Sequence, residues 1–255
     1  MKNFLNKIDF HYTYIIMAFG LVLTGHFINL IAFTSLIIIH EFGHVITATI
    51  YKYRIKKITI YPYGGITEFD TLVNTKIEKD LLIAISGIIF QSIYFYTIFF
   101  LYRNGIIREY TYNLFFTYHN SMLLFNILPI IPLDGSKIVN LILSKYLNLN
   151  FSNNLIVLIS FITLSMILIG DIYEKNYSMV MVVFILLQNI WNYYKKIEYI
   201  YNKFVLERYL YKITYPKKKI IKNKKKMYKN KSHYFYINNQ LLKEDDYLRS
   251  IYSKR

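Results

Sequence analysis

Cysteine is absent from this 255-residue chain. No disulfide can staple it and no thiolate can ligate a metal, so a metal site here must use nitrogen and oxygen donors. Acidic residues are scarce as well: 15 Asp and Glu stand against 31 Lys and Arg, a formal net charge of +16. The first apolar run lacks the small residues of a signal-peptide cleavage site. It passes through Thr24-Gly25-His26-Phe27 into another apolar run, which reads as a retained membrane span rather than a secretory signal. No glycine-rich phosphate loop or nucleotide fingerprint is present, and no internal repeat of the kind found in many transporters.

Apolar residues fill the space these absences leave. The chain is 55% hydrophobic with a mean hydropathy of +0.27, and six runs stand out on length: 12–23, 27–50, 81–102, 112–133, 155–172 and 178–194. Tyrosines gather at their edges, among them Tyr12, Tyr51, Tyr102, Tyr112 and Tyr194, where an interfacial belt places them; an AT-rich coding bias is the competing source. Lys2 and Lys7, the group from Lys52 to Lys79, Lys137 and Lys145, and the C-terminal lysines fall on one side of this pattern. The loops of the other side are shorter and poorer in positive charge, so both termini are expected in the cytosol. The expectation is an all-α membrane protein of about six transmembrane helices over residues 1–194, with a small β-hairpin or re-entrant strand between spans 2 and 3. A basic cytosolic tail is expected over 195–255, which holds eighteen Lys and Arg against five Asp and Glu; within it Tyr234-Phe235-Tyr236-Ile237 before Asn238-Asn239 reads as a small hairpin and 241–252 as a short helix.

His40-Glu41-Phe42-Gly43-His44 lies inside the second run. Two histidines four apart share one face of a helix, about one turn apart, and their ring nitrogens can reach one ion. Glu41 sits beside the first of them, where its carboxylate can take a proton from water at that ion. Three ionisable groups in so apolar a segment are costly in a membrane and mark function by default.

Two other stretches break the apolar pattern. Between the second and third runs, Ile58-Thr59-Ile60-Tyr61 and Ile66-Thr67-Glu68-Phe69 have strand composition around Pro62-Tyr63-Gly64-Gly65. Their two readings are a plain cytosolic hairpin and a strand edge that receives an extended substrate. The fourth run ends in Asn126-Ile127-Leu128-Pro129-Ile130-Ile131-Pro132-Leu133-Asp134-Gly135. Two prolines three apart disfavour helix there. Asp134 is then either a turn or cap residue or an inward-turned third ligand. Asn126 is a polar group able to hydrogen-bond a substrate backbone or a broken helix.

Taken together, the His40-Glu41-x-x-His44 and Leu133-Asp134-Gly135 motifs resemble the site-2 protease family of intramembrane zinc metalloproteases, most closely its stage IV sporulation branch. The resemblance covers about residues 24–135. It implies Zn²⁺ as cofactor, His40, His44 and Asp134 as its ligands, and Glu41 as catalytic acid and base. It also implies a membrane-associated protein substrate, of which a sigma-factor precursor is the notable example. Gly64, Gly65, Asn126 and Pro132 are the candidate substrate contacts. Ser136 replaces a glycine common after the Asp-Gly pair, Ser86-Gly87-Ile88 stands where a Gly-Pro pair is common, and the tail is too short for the branch's nucleotide-sensing domain. Of the remaining histidines, His26 reads as interfacial, His119 as a hydrogen-bonding group within the bundle or one near substrate, and His11 and His233 carry no signal. Anionic lipid is the expected partner of the basic tail. Nucleic acid is not expected, the chain leaves room for an inhibitory membrane partner, and it does not fix an oligomeric state. The alternative functions are a multi-span transporter or channel that conducts through its buried His, Asp and Glu groups, and a silent membrane scaffold.

Overall fold

The computed structural model describes residues 7–173, 180–237 and 240–252. Lys2, the loop around Glu174 and Lys175, the start of the sixth apolar run and the Asn238-Asn239 turn lie outside the described residues. The fold is mostly helical with two small sheets, and it divides into two compact units: Met1–Thr71 with Leu81–Leu128, and Leu72–Asp80 with Pro129–Arg255.

The first unit contains strand β1 (Ile8–Phe10), helices α1 (Tyr12–Leu23) and α2 (Phe27–Ile50), strands β2 (Arg54–Tyr61) and β3 (Gly64–Asp70), most of helix α3 (Ile77–Arg103), and helix α4 (Glu109–Ile127). His11 caps α1, its Nδ1 accepting from the Thr13 amide at 3.4 Å, and Gly25, at φ +75°, separates α1 from α2. Glu78 and Asp80 in the first turn of α3 and Arg103 in its last complement the helix dipole. The sheet order is β1-β2-β3, with β1 parallel and β3 antiparallel to β2. Tyr61 pairs with Gly64, which leaves Pro62-Tyr63 as a two-residue turn and β3 at the sheet edge. Ile60 of β2 enters the apolar cluster of Leu36, Ile37, Phe115 and Met122, so the sheet is anchored against the helix that carries the two histidines.

The second unit holds helices α5 (Asp134–Tyr146), α6 (Leu149–Tyr173), α7 (Val180–Tyr211) and α8 (Glu244–Tyr252), and strands β4 (Lys218–Ile221), β5 (Ser232–Ile237) and β6 (Gln240–Lys243). The fourth apolar run ceases to be helical at Ile127. Within this unit Ser160 organises the proline stretch: its hydroxyl lies 3.0 Å from the Pro129 carbonyl as donor and accepts the Ile131 amide at 3.1 Å. The Ile131–Pro132 bond is cis, the Leu133 amide closes a turn onto the Ile130 carbonyl at 2.8 Å, and α5 begins at Asp134.

Three helices are long and apolar enough to cross a membrane among the described residues: Phe27–Ile50, Ile77–Arg103 and Leu149–Gly170. Helix α1 is apolar but only 12 residues long.

Much of the segment from Lys195 onward is folded. Helix α7 runs without a break to Tyr211, and β4-β5-β6 form a second three-stranded sheet with α8 beside it. Strand β4 extends the hairpin expected around Tyr234-Phe235-Tyr236-Ile237 to three strands, and the helix expected over 241–252 begins only at Glu244, after β6. Phe204, Met227, Phe235 and Leu248 are fully buried in the sheet's core. The buried Arg208 ties the unit together. Its guanidinium donates to the Asn74 side chain (2.9 Å), to Glu244 (2.9 Å) and to the carbonyls of Tyr228, Lys229 and Lys231. Glu207 accepts from the amides of Val73 and Asn74 at 2.9 and 3.0 Å, which fixes the 72–80 connector within this unit. His233, which carries no signal in the sequence, is 1% exposed and sits in this network. Its Nδ1 bonds Glu244 at 3.0 Å and its Nε2 accepts the Tyr228 amide at 2.9 Å.

Candidate metal centre

Helix α2 brings His40, Glu41 and His44 together in the first unit, with ligand-capable atoms all within 4.8 Å of one another. The three residues are 1%, 4% and 3% exposed. The two imidazoles face each other, Nε2 to Nε2, at 3.1 Å.

The outer partners of the rings decide what those facing atoms are. His44 Nδ1 lies 2.7 Å from the Ile83 carbonyl, which only accepts, so Nδ1 donates. His40 Nδ1 lies 3.0 Å from Gln91 Oε1. The Gln91 amide is oriented by its other end: Nε2 donates to the His119 carbonyl and reaches His119 Nδ1, each at 3.1 Å. Oε1 is therefore the acceptor and His40 Nδ1 the donor. Both neutral rings thus present an Nε2 lone pair to the same point. Two lone pairs at this distance repel in the absence of a cation. Zn–N bonds of about 2.05 Å at a tetrahedral angle separate two ligand nitrogens by about 3.3 Å, close to the spacing found. A ligand histidine whose other nitrogen donates to a carbonyl or amide oxygen is also the usual outer arrangement of a zinc site. The residues fit the ion.

Glycine makes the packing possible at three points. A Cβ on Gly87 of α3 would fall on Nε2 of both His44 and His40, and one on Gly65 of β3 would fall on the side chain of Glu41. Gly43 plays the same part between helices, since a Cβ there would stand 2.7 Å from the Ser86 carbonyl oxygen. Thr67, two residues along β3 from Gly65, donates its hydroxyl to Glu41 Oε2 at 2.5 Å. The hairpin therefore holds the carboxylate while α3 holds the rings.

Among the residues singled out from sequence, the structure brings Gly65 together with the His40-Glu41-His44 group. Gly64 starts β3 at φ +145°, a conformation that favours glycine. Asn126 is buried at the end of α4. Asp134 and Pro132 belong to the second unit. There Asp134 is the first residue of α5, 3% exposed, and its Oδ1 accepts from Lys137 Nζ at 2.8 Å. His119 has the hydrogen-bonding role expected of it, stacked on Phe95 with ring centroids 4.4 Å apart. Sequence reading gave no role to Thr67, Gly87 or Gln91. The one available signal was Ser86-Gly87 with Gln91 following in an otherwise apolar span.

A buried pair of facing imidazoles beside a carboxylate, on a helix of membrane length, defines a metallopeptidase-type centre in a membrane protein. Comparison with known proteins agrees. The model of peptidase family M50 matches residues 28–119. Stage IV sporulation protein FB of Bacillus subtilis is 30% identical over 206 residues, covering 80% of this chain and 71% of that protein. A zinc metalloprotease of Methanocaldococcus jannaschii is 31% identical over 112 residues, 43% of this chain and 32% of that protein. The solved structure of a site-2 protease from the same archaeon shares the fold, with a TM-score of 0.60 at 23% identity, over 73% of this chain and 90% of that one. The chain belongs to peptidase family M50, the site-2 proteases, and is a zinc metalloprotease acting on protein. Membership does not favour the transporter reading.

Proposed function

We propose that this protein is an intramembrane endopeptidase that cuts a membrane-associated regulatory protein, of the sigma-factor-precursor kind, in a sporulation-type pathway. The observation that carries the reading is the facing Nε2 pair of His40 and His44, 3.1 Å apart beside Glu41 in an apolar helix.

Asp134 is proposed as the third ligand. It is a buried carboxylate that opens a helix after a proline-broken segment. Three protein ligands, unlike four, leave a coordination place for water. Two neutral imidazoles and one carboxylate leave a divalent ion at +1, and ionised Glu41 brings the centre near neutrality. When bound, zinc supplies Lewis acidity, lowering the pKa of water to about 7 and polarising the scissile carbonyl. Glu41 takes the proton from the attacking water and delivers it to the leaving amine nitrogen. Thr67 holds one carboxylate oxygen, which limits the rotamers of Glu41.

A membrane helix satisfies its own amides, so a substrate must be extended locally before it is cut. Strand β3 is an edge strand with Gly64 and Gly65 at its start, which supports substrate addition by main-chain hydrogen bonds. Asn126 and Pro132 are proposed as further substrate contacts. The full reading has six spans with both termini cytosolic, room for an inhibitory membrane partner, and a basic C-terminal segment that meets anionic lipid. The distribution of Lys and Arg supports the last point and the orientation.

The test is co-expression with membrane-tethered candidate substrates, comparing wild type with Glu41→Gln. The variant is expected to keep its zinc and lose cleavage by about 10²- to 10⁴-fold. Cleavage by the variant at the wild-type rate would overturn the role of Glu41.

A further inference from the structure

In the second unit a pocket of about 480 Å³ opens where α6 begins and α7 leaves its apolar half. Its walls carry Lys195 from α7, Lys224 and Lys225 from a short 3₁₀ turn, and the side-chain amides of Asn150, Asn154 and Asn202. Glu198 is the one carboxylate in the wall, so the pocket is net cationic. The walls are held in place. The Leu149 amide donates to the Met227 carbonyl at 3.0 Å, the Tyr201 hydroxyl donates to the Lys224 carbonyl, and the Asn223 side chain accepts the Lys225 amide at 2.9 Å. Lys195 Nζ stands 5.2 Å from the centroid of the Trp191 ring.

The pocket continues along two apolar helix faces. At helical spacing from Asn150 and Asn154, α6 presents Leu158 and Ile162, 53% and 48% exposed. Going back along α7 from Glu198, the same spacing gives Tyr194, Trp191, Leu187 and Phe184, from 36% to 70% exposed. Helix α6 is long and apolar enough to cross a membrane, which sets its first turns at headgroup level. A cationic, amide-lined chamber at that level, opening onto exposed aliphatic and aromatic stripes, matches an amphiphile with a negative head.

We propose that this pocket binds the phosphodiester headgroup of an anionic glycerophospholipid, whose acyl chains lie along the exposed faces of α6 and α7. The lysines neutralise the phosphate and the asparagine amides donate to its oxygens and those of the glycerol. The volume lies within the range of small-molecule sites, and basic pockets between membrane helices are a recurrent form of headgroup recognition. This deepens the lipid contact proposed above, and rests on it, by giving that contact a site.

The experiment uses the full chain in nanodiscs of phosphatidylcholine with added phosphatidylglycerol, reading bound lipid by native mass spectrometry. One variant carries Lys195→Gln, Lys224→Gln and Lys225→Gln. A control carries Lys217→Gln, Lys218→Gln and Lys222→Gln, exposed residues that remove the same charge outside the pocket. The pocket variant is expected to lose the preference for phosphatidylglycerol by roughly 100-fold, three lysines each contributing about five-fold, and the control to stay close to wild type. Asn154→Glu, which keeps all the lysines and places a second carboxylate in the wall, is expected to weaken binding as well. Equal losses in the two triple variants would leave the lipid contact standing and overturn the pocket. No preference for the anionic lipid in wild type would overturn both. Full competition by inorganic phosphate or glycerol phosphate at millimolar concentration would reassign the pocket to a soluble phosphate and overturn the lipid.

Discussion

Gln91 Oε1 accepts a hydrogen bond from His40 Nδ1 at 3.0 Å, deep between two apolar helices, where Gln91 is 0% exposed. The amide cannot turn over without setting its carbonyl oxygen against that of His119, because Nε2 donates there at 3.1 Å. His119 thus fixes Gln91, and Gln91 fixes the tautomer of His40. Replacing Gln91 by Leu preserves the volume and removes the acceptor. Zinc affinity is expected to fall by about 10- to 100-fold, the usual cost of losing an outer partner of a ligand. Competition with a graded series of chelators measures this, and unchanged affinity would assign Gln91 to packing.

Gly65 and Gly87 separate the two halves of the chemistry. An added methyl on Gly87 strikes Nε2 of both His44 and His40, whereas one on Gly65 strikes the Glu41 side chain. Gly87→Ala is expected to abolish stoichiometric zinc, and Gly65→Ala to retain it while losing proteolysis. Metal analysis beside a cleavage assay distinguishes them. The same outcome for both variants would contradict the division of labour between α3 and the hairpin.

Asp134→Asn tests the proposed third ligand. The amide is nearly isosteric but binds zinc poorly, since its oxygen is neutral. Zinc content of the purified variant is expected to fall well below that of Glu41→Gln. Unchanged zinc content and unchanged activity would remove Asp134 from the metal.

The part of the centre that follows from helix periodicity was readable in the sequence. His40, Glu41 and His44 lie within five residues, and a single helix sets their geometry without tertiary contacts. The ends of α1 and α2 were equally plain, because Thr24-Gly25 and the polar stretch after Ile50 interrupt unbroken apolar runs. Thr67, Gly87 and Gln91 were not readable. Each acts across a contact 26 to 51 residues distant in sequence, and nothing local marks a glutamine that faces a histidine rather than a helix neighbour. The second sheet was only half legible. The alternation in Tyr234-Phe235-Tyr236-Ile237 signals β5, but β4 is Lys-Lys-Ile-Ile in a lysine-rich stretch and its pairing is nonlocal. Met227 is fully buried although its sequence neighbours are lysines and a tyrosine.

Arg208 is expected to be irreplaceable by lysine. Its Nε and both Nη atoms donate to five separate residues of the second unit, and the side chain is buried. A lysine ammonium has three donors on a flexible stem and cannot reproduce the planar fork, so Glu244 and several carbonyls would lose partners. Breaking a buried pair of this kind costs about 3–5 kcal/mol. Arg208→Lys should lower the thermal midpoint by many degrees. A shift within the error of the wild-type value would mean that water replaces the guanidinium.

Acid should loosen the same region before it affects ordinary surface charge. Burial holds the His233 imidazole below its usual pKa of 6.5, only partly opposed by Glu244. Burial pushes the Glu244 carboxyl up, but the His233 hydrogen bond and the Arg208 charge outweigh it and hold it below its usual 4.5. Both folded-state values are depressed, so the unfolded segment binds more protons on acidification and stability rises with pH. The contribution of His233 is complete above about pH 6.5 and is lost as pH falls through its lowered folded value; that of Glu244 is complete above about pH 4.5 and is lost further down. Hydrogen exchange of the β5 amides, followed from pH 7.5 to 5 and corrected for intrinsic rates, is expected to show protection falling from about pH 6.5 downward. His233→Gln, which cannot take up a proton in this range, should flatten the upper part of that profile. An equally steep loss in the variant would place the titrating group elsewhere.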